Sequence, residues 1–497
     1  MEGLTNTTIL WRGSSGGSIV YGNPPAKCMN LVAKPKSESV ELTWKDPDDI
    51  IVPGSNNIKW SQTVIVRKIG SAPTDINDGV IAIISNIRNQ YEMRPFIDSG
   101  LINHTEYFYA AFSCSEDGLY NTESIYTSAI PIPYRVMTIS INCSDSNPNT
   151  CGSYAVDAIN MTPGKHVTEW DEFFGYKPCL FKDGKVVGYL NPNDYTQFEN
   201  GEAADITSGN AGDVMIEFPR RGVKISKSND ILNVSMTNDP DNPEFTYYAH
   251  TRENVRKEYF YVGAYLGYID SSNKLRSLSG KSLTYSDDSY VLSTMRNGAV
   301  NTGTSYFNIG FYQYTFIQAM YLLQYKGNLN SQNAHGFGYC GASNISKSGN
   351  TNNKGMMYGS SSDTDHIKLF GIEDLWGNLA CVIDGCYMNS DEDLLITSNN
   401  NDFGSTNMYK KYNFVADYTG GGYIRTVTRS SETGFIPSNL SGSLSTYFCD
   451  HGDHRAGYPA MVGGNYHSGA EAGIFFFSFE YKISATRSET GGRLCYL

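Results

Sequence analysis

Short apolar runs, each bounded by Pro, Gly, Asn or Asp, dominate residues 26–133. Alternation is clearest in "VELTW", where Val40, Leu42 and Trp44 fall on one face of a predicted strand. The runs "CMNLVAK", "TVIVRKIG", "VIAIIS" and "EYFYAAFSC" are similarly short and similarly bounded. Several short strands separated by turn residues predict a β-sandwich in this part of the chain.

From Tyr134 onward the pattern changes to longer polar loops, strands and helix signals. Lys182-Asp183-Gly184-Lys185 lies between apolar runs and predicts a tight hairpin, because Asp-Gly supplies the positive φ angles of such a turn. "GDVMIEFPR" predicts a strand closed by Pro219. A helix with a wide apolar face is predicted from Phe316 and should end at Lys326-Gly327.

These patterns divide the chain into three predicted parts. Residues 1–24 are a polar, Gly/Ser-rich arm that ends at Asn23-Pro24-Pro25. Residues 25–133 are the β-sandwich, and residues 134–497 are an α+β domain. The predicted fold class is therefore β-rich and multi-domain.

Composition narrows the possible partners. The net charge of −13 argues against nucleic acid, which is bound through clustered Lys and Arg. No run approaches the ~18 apolar residues of a membrane span, so we expect no membrane insertion. Because "MEGLTNTTILWRG" lacks signal-peptide features, we expect the protein to be synthesised in a cytosol. Ten Cys without C-x-x-C spacing predict reduced thiols. The 36 Tyr favour either strands or a recognition surface.

Three motifs that look like nucleotide or hydrolase sites are accidental. Gly336-x-Gly338-x-x-Gly341 follows a predicted helix, whereas a dinucleotide-binding turn precedes one. "GSSGG" at 13–17 has no strand before it or helix after it, as a nucleophile elbow requires. "SGKSL" at 279–283 lacks the earlier glycine of a phosphate-binding loop. We predict no catalytic residue and no cofactor.

Asp450, His451, Asp453 and His454 lie within five residues of one another, with Cys449 beside them. One interpretation is a zinc site, which would take three or four N or S ligands from such a set. Helical ligand spacing and a second ligand cluster are both missing from the sequence. A polar loop exposed for recognition is the preferred interpretation, so no metal site is predicted.

The sandwich region resembles a known module. "MNLVAKPKSESVELTWKDPDD", "VIVRKIGSAPTDINDGV" and "LINHTEYFYAAFSCSEDGLYN" are similar to the fibronectin type III-like modules common in phage tail proteins. Those modules have a core Trp on an early strand and a Tyr-rich late strand. The resemblance implies a spacer rather than a ligand-binding module.

Residues 134–497 resemble the C-type-lectin fold, in the variant shared by phage receptor-binding proteins of the tropism-determinant type and by formylglycine-generating enzymes. The order of "YRVMTISINCSDSNP", "FIQAMYLLQYKGNLN", "GIEDLWGNLACVIDG" and "GGRLCYL" carries the resemblance. Its most specific pieces are "GIEDLWGN" and the Gly-x-Arg-Leu ending at Leu494. The resemblance implies that Trp376, Gly377 and Asn378 form a structural turn, in which Gly permits tight backbone and Asn bonds it.

Together the two resemblances imply a non-enzymatic receptor-binding protein of a phage tail or a phage-tail-like bacteriocin. It would attach the particle to a bacterial cell-surface glycan or surface protein and would reside in the virion tail or baseplate. Residues 1–24 would attach to other tail or baseplate proteins. The relatives further imply a homotrimer, in which repeated weak sites gain strength by multivalency.

The resemblance also places the ligand-binding surface. Tropism-determinant relatives display it just before the last strands, which corresponds to a loop at 447–468. Aromatic rings there would stack on a sugar or apolar patch, while polar side chains would hydrogen-bond it. Alternatively, Tyr458 and Tyr466 close the core. The predicted ligand-binding residues are Tyr447, Asp450, His451, Asp453, His454, Arg455, Tyr458, Asn465, Tyr466 and His467.

Two other functions stay open at this point. One is a structural baseplate or decoration protein that packs against neighbours. The other is an oxidase or a glycan-cleaving enzyme, since formylglycine-generating enzymes use a copper-binding cysteine pair near the carboxyl end. Cys449 and Cys495 are the nearest candidates, but they have no paired arrangement around a groove, and buried apolar thiols explain them better. The host, and whether its receptor is a sugar or a protein, are also open.

Overall fold

The structure is a computed structural model that describes residues 23–51, 53, 57–283, 291–414, 420–480 and 489–497. It is β-rich, as the sequence predicts. The chain divides into two compact units, Met1–Tyr134 (unit 1) and Arg135–Leu497 (unit 2), one residue past the predicted boundary. Most of the predicted arm at 1–24, and the Gly/Ser pattern at 13–17, lie outside the described residues.

Unit 1 consists of two sheets that share one buried core. Its strands are β1 (Met29–Lys36), β2 (Ser39–Lys45), β3 (Trp60–Ile69), β4 (Val80–Ser85), β5 (Phe96–Ser99), β6 (Tyr107–Ser115) and β7 (Ile125–Ala129). The strand orders are β1-β2-β5 and β4-β3-β6-β7. Val40, Leu42 and Trp44 of β2 pack with Ile65 of β3 and Tyr109 of β6, so the predicted alternation in "VELTW" is confirmed.

Unit 2 contains the remaining strands and the α-helices of the described residues. The strands that precede the first long helix are β8 (Val136–Asn142), β9 (Gly152–Val156), β10 (Lys177–Lys182), β11 (Lys185–Asn191), β12 (Asp194–Phe198), β13 (Asp213–Pro219), β14 (Gly222–Ser228), β15 (Ile231–Thr237), β16 (Thr251–Arg252), β17 (Val255–Arg256), β18 (Tyr259–Gly263), β19 (Tyr268–Ile269) and β20 (Leu275–Arg276). The later strands are β21 (Tyr306–Asn308), β22 (Lys368–Leu369), β23 (Ile372–Glu373), β24 (Ala380–Met388), β25 (Leu394–Ile396), β26 (Lys410–Tyr412), β27 (Gly420–Tyr423), β28 (Thr426–Val427), β29 (Pro437–Asn439), β30 (His451–His454), β31 (Tyr458–Gly463), β32 (Gly473–Ser478), β33 (Thr490–Gly491) and β34 (Leu494–Tyr496). The helices are α1 (Thr168–Phe174), α2 (Val291–Thr302), α3 (Phe311–Gln324) and α4 (Ser331–Ala334).

Three larger sheets organise unit 2. A seven-stranded sheet has the order β12-β11-β10-β13-β18-β34-β21, so the late strand β34 lies between two much earlier ones. A four-stranded sheet has the order β14-β15-β8-β9. An eight-stranded sheet has the order β26-β25-β24-β31-β32-β30-β27, with β33 pairing with β24. The buried helix α3 contacts β8 and β15 of the four-stranded sheet and β24 of the eight-stranded sheet.

Local predictions in unit 2 can be compared with these elements. Asp183 and Gly184 have φ angles of 50° and 78° and join β10 to β11, which confirms the hairpin. The helix α3 begins at Phe311, five residues before the predicted Phe316; Gly310 precedes it without a side-chain cap, so the sequence carries no capping signal for this start. None of the helices in the described residues has the length and apolar content needed to cross a lipid bilayer.

Candidate functional site

The predicted exposed loop at 447–468 is largely wrong, because two strands of the eight-stranded sheet run through it. His451–His454 form β30 and Tyr458–Gly463 form β31. β30 is enclosed between β27 and β32, and it runs parallel to β32. The sequence HGDH has no apolar residue, so its strand character comes from these neighbours rather than from its own pattern.

Three of the predicted contact residues are buried, which corrects their placement on an exposed surface. Asp450, Asp453 and His454 are 1%, 5% and 7% exposed. Asp450 accepts a hydrogen bond from the Phe475 backbone N–H at 2.8 Å. The His454 ring lies edge-on to the Phe414 ring, with centroids 5.7 Å apart.

The ten predicted residues separate toward two ends of the sheet. Gly473, the first residue of β32, borders Asp450 and pairs with Gly463, the last residue of β31. The turn after β31 therefore lies at the same end as Asp450, and Arg455 begins the connection at the other end, where it reaches Glu480 at 3.7 Å. His451 lies between the two ends, against Phe476. The first end holds Tyr447, Asp450, Asn465, Tyr466 and His467, and the second holds Asp453, His454, Arg455 and Tyr458.

The tyrosines of the set are half-buried. Tyr447 and Tyr458 pack against the main core of unit 2, in agreement with the alternative interpretation for Tyr458. The Arg425 guanidinium lies 5.2 Å from the centre of the Tyr447 ring. Tyr466 is held through its backbone, since its N–H donates to Asn378 and its carbonyl accepts from Ala342. His467 is the most exposed of its turn.

A polar cleft of about 190 Å³ opens at the first of these two ends. We call it the amide cleft; its polar lining residues are Asn149, Asn330, Gln332, Asn333, Ser445 and Asp450. Phe337 and Leu444 add apolar surface beside them. The cleft thus combines amide, hydroxyl and carboxyl groups with one aromatic ring.

Local hydrogen bonds hold the walls of the amide cleft. The Asn330 side chain caps α4 by accepting from the Asn333 backbone N–H at 3.0 Å. Gln332 Nε2 donates to the Gly469 carbonyl at 2.8 Å, which ties α4 to the segment after β31. Asn149 and Asn333 are exposed, so their amides face solvent from a fixed backbone.

Burial sets the protonation of the two titratable groups of the amide cleft. Burial raises the pKa of Asp450 well above its ordinary value, against the opposing effect of the Phe475 N–H. Burial also raises the pKa of the Cys449 thiol to about 12. Cys449 is therefore a neutral thiol at pH 7 and not a nucleophilic thiolate.

We expect Asp450→Asn to stabilise the protein at pH 8, by roughly 1–2 kcal/mol. The folded-state pKa of Asp450 is raised, so the protonated carboxyl contributes its full stability below the pKa of the unfolded chain. This contribution is lost as the pH rises from the unfolded-state pKa toward the folded-state pKa. Asparagine keeps an oxygen for the Phe475 N–H and does not ionise. Urea unfolding of both proteins should show the difference shrinking toward pH 4. Asp391→Asn, at an exposed position, is the control, and a difference that grows toward pH 4 would contradict the prediction.

A cluster of buried polar side chains, His366, Glu373, Asp374 and Asn378, lies at the turn at 376–378. Gly377 has φ 80°, and the Asn378 amide donates to the Ser346 carbonyl at 3.2 Å and to Asp374 at 3.0 Å. The structural roles predicted for Gly377 and Asn378 are thus confirmed. His366 Nδ1 lies 2.9 Å from Asp374 Oδ2, and its ring stacks on the Tyr339 ring.

His366, Glu373 and Asp374 are the one group of three in the described residues whose ligand atoms lie close enough to hold a metal ion. These atoms already have partners. Glu373 accepts from the backbone N–H groups of Gly349 and Thr351 at 2.7 Å each. Burial lowers the pKa of His366, but the Asp374 carboxylate outweighs it and raises the pKa to about 9. His366 also contacts the Ser346 hydroxyl through Nε2 at 3.1 Å, so the contacts of this group are those of a structural hydrogen-bond network.

No protein-family model matches this chain, and a search of curated proteins finds no match. The site is therefore interpreted from its own residues.

The amide cleft was missed at the sequence level for a physical reason. Its walls come from positions near 149, 330 and 445, which are brought together only by the fold. The Asn-rich stretch "NLNSQNA" at 328–334 was the available signal, because an Asn before a short helix is a typical cap.

Proposed function

We propose that this chain is a receptor-binding protein of a phage tail or a phage-tail-like bacteriocin, which attaches the particle to a bacterial surface through unit 2. Unit 1, with its two sheets and its core Trp44, would be the fibronectin type III-like spacer. Unit 2 would be the C-type-lectin-like domain. Its two most specific motif pieces contact each other, since Arg493 donates to the backbone carbonyls of Glu373 and Asp374 at 2.8 and 3.0 Å.

The amide cleft is the observation that carries this proposal. Exposed amides such as Asn149 and Asn333 donate and accept, which suits the hydroxyl groups of a sugar or the backbone of a surface protein. Phe337 offers an aromatic face at the same place. The hydrogen bonds of Asn330 and Gln332 fix the backbone of the walls before a ligand arrives, which reduces the entropy lost on binding.

The proposed action is binding without catalysis. Cys449 at the amide cleft is a neutral thiol, and Cys495 lies on β34 in a different sheet. The pair that an oxidase of this fold would need is therefore not formed by these two residues. Weak single sites would gain strength through a homotrimer and repeated copies in the tail, with residues 1–24 joining the tail or baseplate.

We expect Asn149→Ala/Asn333→Ala to weaken binding to bacterial surface fractions about tenfold, since each neutral hydrogen bond contributes about 0.5–1.5 kcal/mol. Purified full-length protein would be titrated against envelope fractions of candidate hosts, with bound protein measured by sedimentation. Arg455→Ala is the matched control at the other end of the sheet, where the exposed guanidinium pairs with Asp453 at 3.2 Å.

The outcomes separate the site from the function. If Arg455→Ala abolishes binding while the double Asn variant binds normally, attachment occurs at the other end and the amide cleft is wrong. If the wild-type protein binds no susceptible cell and does not compete with the particle for adsorption, the receptor-binding proposal is wrong. Thermal melting of each variant distinguishes lost contact from lost fold.

A structural baseplate protein is the second candidate, and one feature of unit 1 favours it. β4 lies at the edge of its sheet, and Val80, Ile81 and Ile84 on it are exposed. Exposed apolar side chains on an edge strand suit a contact with a neighbouring protein. Failure to bind cells together with assembly into the particle would favour this function.

A further inference from the structure

A second cavity, of about 370 Å³, lies on unit 2 and shares no lining residue with the amide cleft. We call it the basic cavity. It is lined by β14, β25, β26 and the hairpin of β28 and β29, and the residues that matter here are Lys227, Tyr412, Phe414, Arg429, Ser430 and Thr433. Its volume falls in the range of small-molecule sites, which is about 300–1,000 Å³.

The charge of the basic cavity is opposite to that of the chain. The protein carries a net charge of −13, yet Lys227 and Arg429 line this cavity, and its lining among the described residues includes no carboxylate. Within the described part of the chain, neither cation forms an ion pair. Arg429 contacts the Cys143 thiol, and its buried Nη1 has no hydrogen-bond partner among the described residues. A buried guanidinium N–H without an acceptor costs folding free energy, and a bound anionic ligand would supply that acceptor.

The other walls of the basic cavity suit a sugar ring. Tyr412 and Phe414 contribute aromatic surface, on which the C–H face of a sugar can stack. Ser430 and Thr433 hold each other by a hydrogen bond of 3.0 Å between their hydroxyl oxygens, which fixes both groups at the wall. Ser430 Oγ also accepts from the Thr433 backbone N–H at 3.2 Å, so the Thr433 hydroxyl oxygen is the one with a lone pair left to accept from a ligand.

We propose that the basic cavity binds a sugar that carries a carboxylate or a phosphate. Arg429 and Lys227 pair with the anionic group, and the aromatic and hydroxyl walls hold the ring. A polynucleotide does not fit, because it needs a stripe of Lys and Arg and the rest of the chain is acidic. The inference goes beyond the proposed function, since it assigns a second, charge-selective site.

The test compares ligands that differ in charge. Dissociation constants of glucuronate, glucose 6-phosphate, glucose and inorganic phosphate are measured on the full chain by ligand-observed NMR in 20 mM salt. We expect both anionic sugars to bind at least tenfold more tightly than glucose, and the preference to decline as added salt screens the charges. Lys227→Gln and Arg429→Gln should each reduce the preference about tenfold, which is the size of a charge-assisted hydrogen bond.

Lys224→Gln is the matched control. Lys224 lies on the same strand as Lys227, pairs with Glu244 and does not line the cavity. Arg429→Lys retains the charge and should keep part of the preference. Because Lys227 is exposed, its variant keeps the test decisive even if Arg429→Gln fails to fold.

Three results would overturn the inference: equal affinity for glucose and glucuronate, a preference that both Gln variants retain, or inorganic phosphate binding as tightly as glucose 6-phosphate. The last result would leave the aromatic and hydroxyl walls without a role. Attachment to cells through the amide cleft is tested by the envelope-binding experiment. A negative result with the charged sugars would therefore leave the proposed receptor-binding function unaffected.

Discussion

Arg493→Leu is expected to destabilise unit 2 by about 4 kcal/mol or more, because it leaves three buried carbonyl groups without a donor at about 1–3 kcal/mol each. Arg493 is 1% exposed. Its guanidinium donates to the carbonyls of Gly263 at 3.0 Å, Glu373 at 2.8 Å and Asp374 at 3.0 Å. It therefore joins β18 of the seven-stranded sheet to the segment that contains the buried His366–Asp374 pair. Urea unfolding of the full chain, followed by tryptophan fluorescence, measures the loss; Trp170 and Trp376 report on unit 2, and Trp44 and Trp60 report on unit 1.

Arg455→Leu provides the comparison for Arg493→Leu. Its side chain is 49% exposed, and its pairs with Asp453 and Glu480 have distances of 3.2 and 3.7 Å. Water screens the half-exposed guanidinium, but its loss leaves the buried Asp453 carboxylate without this partner, so we expect a cost of roughly 1–2 kcal/mol, below that of Arg493→Leu. Equal effects of the two substitutions would show that the three carbonyls find other donors, and the assigned role of Arg493 would be wrong.

His366→Gln is expected to cost about 3 kcal/mol more at pH 6 than at pH 9.5, measured against the wild type. The Asp374 carboxylate holds the folded-state pKa of His366 at about 9 against the effect of burial, above the unfolded value near 6.5. The stability contributed by the imidazolium is therefore fully present below pH 6.5 and is lost as the pH rises through 9. Glutamine has no charge to titrate, so the difference between the two proteins isolates this contribution.

The wild type alone does not reveal this effect, because Lys368 titrates in the opposite sense. Burial lowers the pKa of Lys368 to about 7, with its Nζ 3.4 Å from the centre of the Tyr195 ring. The buried Lys368 ammonium destabilises the folded state, and this destabilisation declines as the pH rises from 7 toward the pKa of Lys368 in the unfolded chain. His467→Gln, in an exposed turn 3.9 Å from Glu489, is the control. A His366→Gln effect that does not change between pH 6 and pH 9.5 would mean that this imidazole is neutral.

Prediction from sequence succeeded where a short segment determines its own conformation. The Asp183-Gly184 hairpin depends on two adjacent φ angles, and the face of β2 depends on alternation over five residues. The helix α3 ends at Gln324, two residues before the predicted Lys326-Gly327, and the positive φ angles of these two residues, 52° and 66°, turn the chain away from the helix. In each case the interactions that decide the structure lie within a few residues of the chain.

Prediction failed where neighbours determine the structure. β30 contains no apolar side chain, and it becomes a strand because β27 and β32 provide its partners. Burial of Asp450 likewise depends on Phe475, which is 25 residues away in sequence. The Trp376–Asn378 turn was recognised only because it resembles a known family turn. Its partners, Ser346 and the backbone carbonyl of Phe337, could not be inferred from local pattern.

The position of β34 has a consequence for biosynthesis. Residues Leu494–Tyr496 insert between β18 and β21, and the pairing of Val262 with Cys495 spans more than two hundred residues. Closing so long a loop before any contact forms is slow. We therefore expect the seven-stranded sheet of unit 2 to stay incomplete on the ribosome until these residues emerge, with apolar surface open to aggregation during that interval.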